Sequence, residues 1–71
     1  MPDLKEDKRY ANTLARGLRI LRAFRPTDDG LSNLQISDRT GIPRSTVSRL
    51  TFTLCALGYL THGRHHDRYR L

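Results

Sequence analysis

The sequence predicts a small α+β domain, mainly helical, in which three helices precede a C-terminal β-hairpin. Three segments carry apolar residues at helical spacing, Pro or Gly stands where those segments stop, and the last residues favour β-strands. The chain has 71 residues and a mass of 8.2 kDa, so we expect one domain without a deep pocket.

The first helix is predicted to begin at Asn12-Thr13, because either side chain can cap a helix N-terminus. Its apolar stripe is formed by Leu14, Leu18 and Leu21, with Ile20 and Phe24 beside it. Pro26 ends the helix, and residues 26–30 have the composition of a turn. Residues 1–12 alternate charge signs, so we expect a flexible or loosely helical leader before a domain of residues 13–71.

The second helix is predicted from Asn33 to Gly41, after an extended residue at Leu31. Ser32 and Gln35 have the spacing of a capping box, in which each side chain accepts the backbone amide of the other residue. Gly41 supplies the left-handed conformation with which many helices end.

The third helix is predicted at about 43–57, because Pro43 suits the first helical position and Gly58 suits the stop. Four apolar residues recur at helical spacing and are expected to face the core. They are Val47, Leu50, Leu54 and Leu57.

The β-hairpin is predicted to pair residues 59–62 with residues 68–71, with Gly63 and Asp67 bounding a basic loop. The metal-ligand residue types in and near this hairpin are Cys55, His62, His65 and His66. No pair of them has the C-x-x-C or helical H-x-x-x-H spacing, so we expect no metal site.

Charge and hydropathy limit the classes of function. Thirteen Lys and Arg against seven Asp and Glu give a net charge of +6, which favours a phosphate-bearing partner, either nucleic acid or an anionic membrane surface. The run from Leu54 to Leu60 has seven residues, whereas a membrane-spanning helix needs about 20. Residues 1–10 lack the apolar core of a signal peptide and Cys55 has no second cysteine to bridge to, so we expect a cytoplasmic protein.

Catalysis finds no support in the sequence. The one Glu lies in the leader, Asp28 and Asp29 lie in a turn, and no Ser-His-Asp set has a cleft to occupy. We therefore expect neither an enzyme nor a cofactor.

Three positions have the spacing of a helix-turn-helix motif. The motif packs two short helices at a steep angle and needs a small residue at their contact, a Gly in the turn and an aliphatic residue in the second helix. Ser37, Gly41 and Val47 occupy these positions. With the net charge and the following hairpin, this spacing predicts a winged helix-turn-helix that places the third helix in the major groove of double-stranded DNA.

The face of the third helix opposite its core stripe, about 140° from Val47, carries the candidate DNA contacts. This face holds Ser45, Ser48, Arg49 and Phe52, with Arg44 at its edge. The expected base contacts are Arg44, Ser45, Ser48 and Arg49. Thr46, near the helix N-terminus, is expected to contact a phosphate, and Arg64 is expected to contact DNA from the wing. The alternative is a solvated polar face without a partner.

Phe52 has two interpretations on this face. An outward aromatic ring can contact a thymine methyl group, or it can pack under the hairpin or against the first helix. We favour the packing interpretation.

The arginines of the first helix do not form a single stripe, because steps of three residues drift by about 60° each. They are Arg16, Arg19, Arg22 and Arg25. At most one or two of them can reach the same DNA backbone. We expect the others to be solvated or paired with Asp28, Asp29 or Asp38.

Four segments of the chain resemble the N-terminal domain of IclR-type bacterial transcriptional regulators. They are LARGLRILRAF at 14–24, TGIPRSTVSRL at 40–50, and LGYL at 57–60 together with YRL at 69–71. The resemblance covers residues 13–71, and the first segment looks most like the branch that regulates aromatic-acid catabolism through the β-ketoadipate pathway. The sequence departs from the family pattern at Ser37, at Thr51 and at His65-His66 in the wing.

The resemblance implies a homodimer that binds a palindromic operator. It also implies a linker helix and a C-terminal domain through which a small-molecule effector acts, so we expect this chain to be a DNA-binding fragment. Two other classes remain open: a winged-helix protein-interaction module that uses Phe52, and an RNA-binding domain, for which the chain lacks interleaved aromatic residues.

Overall fold

The structure is a computed structural model that describes residues 4–63 and 67–71. In chain order it contains a 3-10 turn at Leu4–Glu6, helices α1 at Asn12–Ala23, α2 at Asn33–Thr40 and α3 at Arg44–Ala56, and strands β1 at Thr61–His62 and β2 at Tyr69–Arg70. Three helices followed by an antiparallel hairpin confirm the predicted winged helix-turn-helix fold. Within the two described ranges, no helix has the length and apolar character needed to cross a bilayer.

All three helices and the hairpin contribute to one core. Its buried residues are Ile20, Leu31, Ile36, Ile42, Val47, Leu60 and Tyr69. The partly buried residues packed against them are Leu21, Phe24, Leu50, Leu54 and Cys55. Because Val47 of α3 lies in the same core as Ile20 of α1 and Ile36 of α2, the core fixes α3 against the other two helices.

The predicted capping of α2 is confirmed at both ends. Ser32 Oγ accepts the Gln35 amide at 3.2 Å, and Gln35 Oε1 accepts the Ser32 amide at 2.9 Å. Gly41 follows the helix with a left-handed φ of 73°, and its amide donates to the Ser37 carbonyl at 2.8 Å.

Helix α1 begins at Asn12 as predicted, but its predicted cap is wrong and its apolar stripe is only partly as predicted. Asn12 already lies inside the helix, and Ala11 takes the N-cap position without a side-chain hydrogen bond. Ile20 is the buried residue of α1, whereas Leu14 and Leu18 are exposed. At about 100° per residue, Leu14 and Leu18 lie about 120° and 160° from Ile20, on the side of α1 away from it, whereas Leu21 packs against the core.

The ends of α3 lie close to their predicted positions. Pro43 is the N-cap rather than the first helical residue, so the helix starts one residue later than predicted. At the other end Gly58 has a left-handed φ of 86°, as expected for the residue that stops the helix.

The core stripe of α3 is only partly as predicted. Val47 is buried, but Leu57 is 66% exposed, because it lies about 80° from Val47 at the edge of the buried face. Thr51, about 40° from Val47, is fully buried instead. Its hydroxyl donates to the Val47 carbonyl at 2.8 Å, which satisfies the buried polar group within the helix.

An apolar groove of about 400 Å³ lies between α1 and α3. Its exposed apolar residues are Leu14, Leu18, Leu57 and Tyr59. Phe52 does not line this groove and lies apart from it on the surface of α3.

The hairpin is confirmed, with shorter strands than predicted. Two residues of each strand pair, Thr61 with Arg70 and His62 with Tyr69. Tyr69 also forms a bridge with Leu31, through backbone hydrogen bonds of 2.9 and 2.7 Å. The extended residue predicted at Leu31 therefore attaches the hairpin to the segment before α2.

Helices α1 and α2 bind each other's C-terminal carbonyl groups through arginines. Arg19 of α1 donates to the carbonyl of Thr40, the last residue of α2. Arg39 of α2 donates to the carbonyl of Ala23, the last residue of α1, at 2.9 Å. Because terminal carbonyls lack intrahelical partners and carry partial negative charge, both contacts stabilise the helix ends and fix the angle between the helices.

Arg39 also forms a bidentate ion pair with Asp28, at 2.6 and 2.9 Å. Asp28 accepts the backbone amide of Arg25 at 2.7 Å as well. The guanidinium of Arg39, and then this amide, lower the pKa of Asp28 from 3.8 to about 2. Asp28 forms its ion pair with Arg39, and Asp29 forms its ion pair with Arg70. The sequence had instead suggested arginines of the first helix as their partners.

Gly41→Val should lower the free energy of unfolding by about 1–3 kcal/mol, because a β-branched residue is strained at a positive φ. Crowding is not the cause, since beyond Gly41 and its two chain neighbours no described atom lies within 4 Å of the position a Cβ would take. Gly17→Ala is the matched control, because Gly17 has equal space inside α1 and Ala should raise stability by up to about 1 kcal/mol. Thermal unfolding measures both, and an unchanged melting temperature for Gly41→Val would contradict the assignment.

Asp28→Asn should destabilise the fold at neutral pH and remove part of its acid sensitivity. The folded-state pKa of Asp28 lies below 3.8, so the ion pair stabilises the fold above that pH and its contribution is lost as the pH falls towards 2. Urea unfolding across this range should show a difference between wild type and variant that shrinks in acid. Asp38→Asn removes a carboxylate without an ion pair among the described residues and serves as control. A difference that stays constant with pH would refute the explanation.

Candidate nucleic-acid interface

The turn between α2 and α3 is held by two hydroxyl groups of α2. Ser37 Oγ donates to the Ile42 carbonyl at 2.6 Å, and Thr40 Oγ1 accepts the Ile42 amide at 3.2 Å. The Ile42 side chain is 2% exposed. Both backbone polar groups and the side chain of this turn residue are therefore fixed, which sets the direction in which α3 leaves the turn.

Sequence reasoning missed these hydroxyl contacts. It identified Ser37 only as the small residue at the contact between the two helices. The signal was available, because a Ser and a Thr in the last turn of a helix are well placed to bind the backbone of the turn that follows.

The outer face of α3 presents the predicted base-contact residues to solvent. The exposed residues are Arg44, Ser45, Ser48 and Arg49, and Thr46 is partly exposed. Within residues 4–63 and 67–71, no hydrogen bond or ion pair engages the guanidinium group of Arg44 or Arg49. The structure therefore places these four side chains together on one surface, where each is accessible to a partner.

Phe52 lies on the same face and is 74% exposed. The expectation that its ring packs under the hairpin or against the first helix is wrong. The physical reason is its position about 140° from Val47, opposite the side of α3 that enters the core. Phe52 lines a shallow depression on the helix surface together with Ser48, Arg49 and Thr53.

The loop of the wing falls outside the described residues. Arg64, the predicted wing contact, lies there together with His65-His66. At the base of the wing, the His62 ring stacks on Tyr69 with ring centroids 4.4 Å apart, and His62 Nε2 lies 2.9 Å from Asp67 Oδ1. These contacts join the two strands on either side of the loop.

The metal-ligand residue types do not assemble in the part of the chain that the structure describes. Among those residues, no group of three His, Cys, Asp or Glu side chains is placed to hold a metal ion. Cys55 packs against the core, and burial raises the pKa of its thiol, which favours the neutral form over the thiolate that binds metals.

The chain is similar to known proteins in both sequence and fold. A family model described as the IclR helix-turn-helix domain matches residues 13–64. The chain is 46% identical over 55 residues to the Pca regulon regulatory protein of Pseudomonas putida, an alignment that covers 78% of this chain and 19% of that protein. It is 51% identical over 49 residues to the HTH-type transcriptional regulator TsaQ1/TsaQ2 of Comamonas testosteroni, covering 69% of this chain and 17% of that protein.

The fold is also similar to a solved structure. A crystal structure of an IclR family transcriptional regulator from Brucella abortus matches with a TM-score of 0.90 and 48% sequence identity. The match covers 94% of this chain and 26% of that chain. The chain therefore spans about a fifth of the length of the curated relatives it matches.

Proposed function

Because this chain belongs to the IclR family of helix-turn-helix transcriptional regulators, we propose that it binds double-stranded DNA sequence-specifically with α3 in the major groove. The observation that carries the proposal is the outer face of α3. There, exposed Arg and Ser side chains follow a rigidly held turn on a chain with a net charge of +6. This combination suits a ligand that offers both phosphates and base edges.

Each residue of this face has a chemical role in the proposal. Arg44 and Arg49 carry planar guanidinium groups that match the O6 and N7 acceptors of guanine. Ser45 and Ser48 bind either a base edge or a phosphate. Thr46 lies in the first turn of α3, where unpaired backbone amides favour a phosphate oxygen.

The hairpin serves as the wing in this proposal, with Arg64 contacting a backbone phosphate. The bridge between Tyr69 and Leu31 supports this role, because it attaches the base of the hairpin to the domain that carries α3. A phosphate contact from the wing would add affinity on any sequence, whereas the outer face of α3 would provide the specificity.

We further propose that residues 13–71 act as the DNA-binding unit of a longer homodimeric regulator of a palindromic operator. Its small-molecule effector would bind outside this unit. The apolar groove between α1 and α3 supports assembly, because exposed leucines in a groove are suited to burial against another surface. Similarity to the Pca regulon regulatory protein supports placing this regulator in the branch of the family that regulates aromatic-acid catabolism.

Arg49→Ala should cost about 1–3 kcal/mol of binding free energy on a duplex selected by this chain from a random library, because a bidentate contact to a guanine is lost. The loss on unselected DNA should be smaller. Fluorescence anisotropy on both duplexes over a salt series measures the two effects. Equal losses on both duplexes would withdraw the base-recognition role of Arg49.

Arg64→Ala provides the contrasting result in the same assay. Loss of a phosphate contact should weaken binding to both duplexes alike and reduce the slope of log affinity against log salt by about 1. Arg9→Ala is the control for charge alone, since Arg9 pairs with Asp7 at 2.8 Å in the segment before α1. Retention of the full slope by Arg64→Ala would exclude the wing contact.

The chain should bind a single half-site weakly. Without a tether between two copies, the second binding event loses its effective concentration, which lowers affinity by roughly 10²–10⁴ relative to a joined dimer. Sedimentation should show two chains on a palindromic duplex and one chain on a duplex with one half-site scrambled, with similar affinity for each intact half-site. A tight dimer of the free chain, or a single chain bound to the intact palindrome, would contradict the two-fold arrangement.

A further inference from the structure

Phe52 is the one large apolar side chain among the described residues of the outer face of α3. It is 74% exposed, and it belongs neither to the core nor to the apolar groove between α1 and α3. Its neighbours on the face, Ser48 and Arg49, are polar and lie in the proposed DNA interface. The aromatic ring at this position is therefore accessible to a partner that offers an apolar group.

The geometry of α3 aligns Phe52 with the residues proposed to contact bases. At about 100° per residue, Ser45, Ser48 and Arg49 lie within about 60° of Phe52 around the helix axis. Ser45 and Phe52 are separated by about 10 Å along the axis, which matches about three base-pair steps of 3.4 Å. A helix that follows the groove therefore places Phe52 opposite a different base pair from the one Ser45 contacts.

The major groove offers one apolar group among its base-edge atoms, the C5-methyl of thymine. The other groups on the base edges are hydrogen-bond donors and acceptors, which a phenyl ring cannot satisfy. From the exposure of Phe52 and its continuity with Ser48 and Arg49, we propose that Phe52 contacts a thymine C5-methyl and so selects thymine at one position of each half-site. This inference rests on the proposed DNA-binding function and assigns it a specificity-determining residue.

The test removes the methyl group alone. The 71-residue chain selects a duplex from a random library, and each thymine of that duplex is then replaced in turn by deoxyuridine, which keeps every hydrogen bond. At one position in each half-site, the replacement should weaken binding by about fourfold, the effect expected for burying one methyl group. All other positions should change little.

The variant Phe52→Ala should bind the thymine and deoxyuridine duplexes equally, and Phe52→Leu should keep part of the preference. Leu4→Ala is the control, because Leu4 is a 66% exposed apolar residue before α1, outside both the outer face and the groove, and it should respond to deoxyuridine as the wild type does. Thermal unfolding verifies that each variant is folded.

Three results would overturn the proposal. They are a selected site without thymine, a wild type indifferent to every deoxyuridine, and a Phe52→Ala variant that keeps the full methyl preference. Arg49→Ala on the same duplexes separates this failure from a failure of the function. If Arg49→Ala loses specific binding while the methyl groups have no effect, the DNA-binding function stands and Phe52 serves another partner, such as a protein. If the chain selects no duplex from the library, the proposed function fails as well.

Discussion

The position of α3 depends on one residue of the turn, Ile42. Its amide and carbonyl bind the hydroxyl groups of Thr40 and Ser37, and its side chain is buried in the core. Because Arg44 follows only two residues later, any rotation at Ile42 would move the whole outer face of α3. Three separate contacts on one residue therefore convert a short turn into a rigid connection, which a surface that recognises bases requires.

Polar contacts at the helix ends supplement a small core. A chain of this size buries only roughly 60% of the surface that its unfolded state exposes. Arg19 of α1 and Arg39 of α2 each donate a hydrogen bond to the last carbonyl group of the other helix. These bonds satisfy the terminal carbonyls and join the two helices without adding apolar residues to the core. The ion pair with Asp28 fixes the side chain of Arg39. Helix α2 is therefore held in position by this polar contact as well as by burial of Ile36 in the core.

Local features of this fold could be predicted from the sequence, and tertiary ones could not. The capping box at Ser32 and the left-handed Gly41 depend on residues within one helical turn, so their sequence pattern was sufficient. The burial of Ile20 in place of the leucine stripe depends on which face α2 packs against, which periodicity does not specify. The outer face of α3 could be predicted to be exposed, because it lies about 140° around the helix axis from the buried Val47. The packing predicted for Phe52 was wrong because it relied on the hydrophobicity of the ring and not on this angle.

The outer face of α3 is the surface that we propose to contact DNA. Backbone amide NMR spectra of the chain, recorded during titration with its selected duplex, test this claim most directly. We predict that the largest shifts occur at residues 44–53, with the groove residues Leu14 and Leu57 little affected. Shifts concentrated on the groove, with residues 44–53 unchanged, would contradict it.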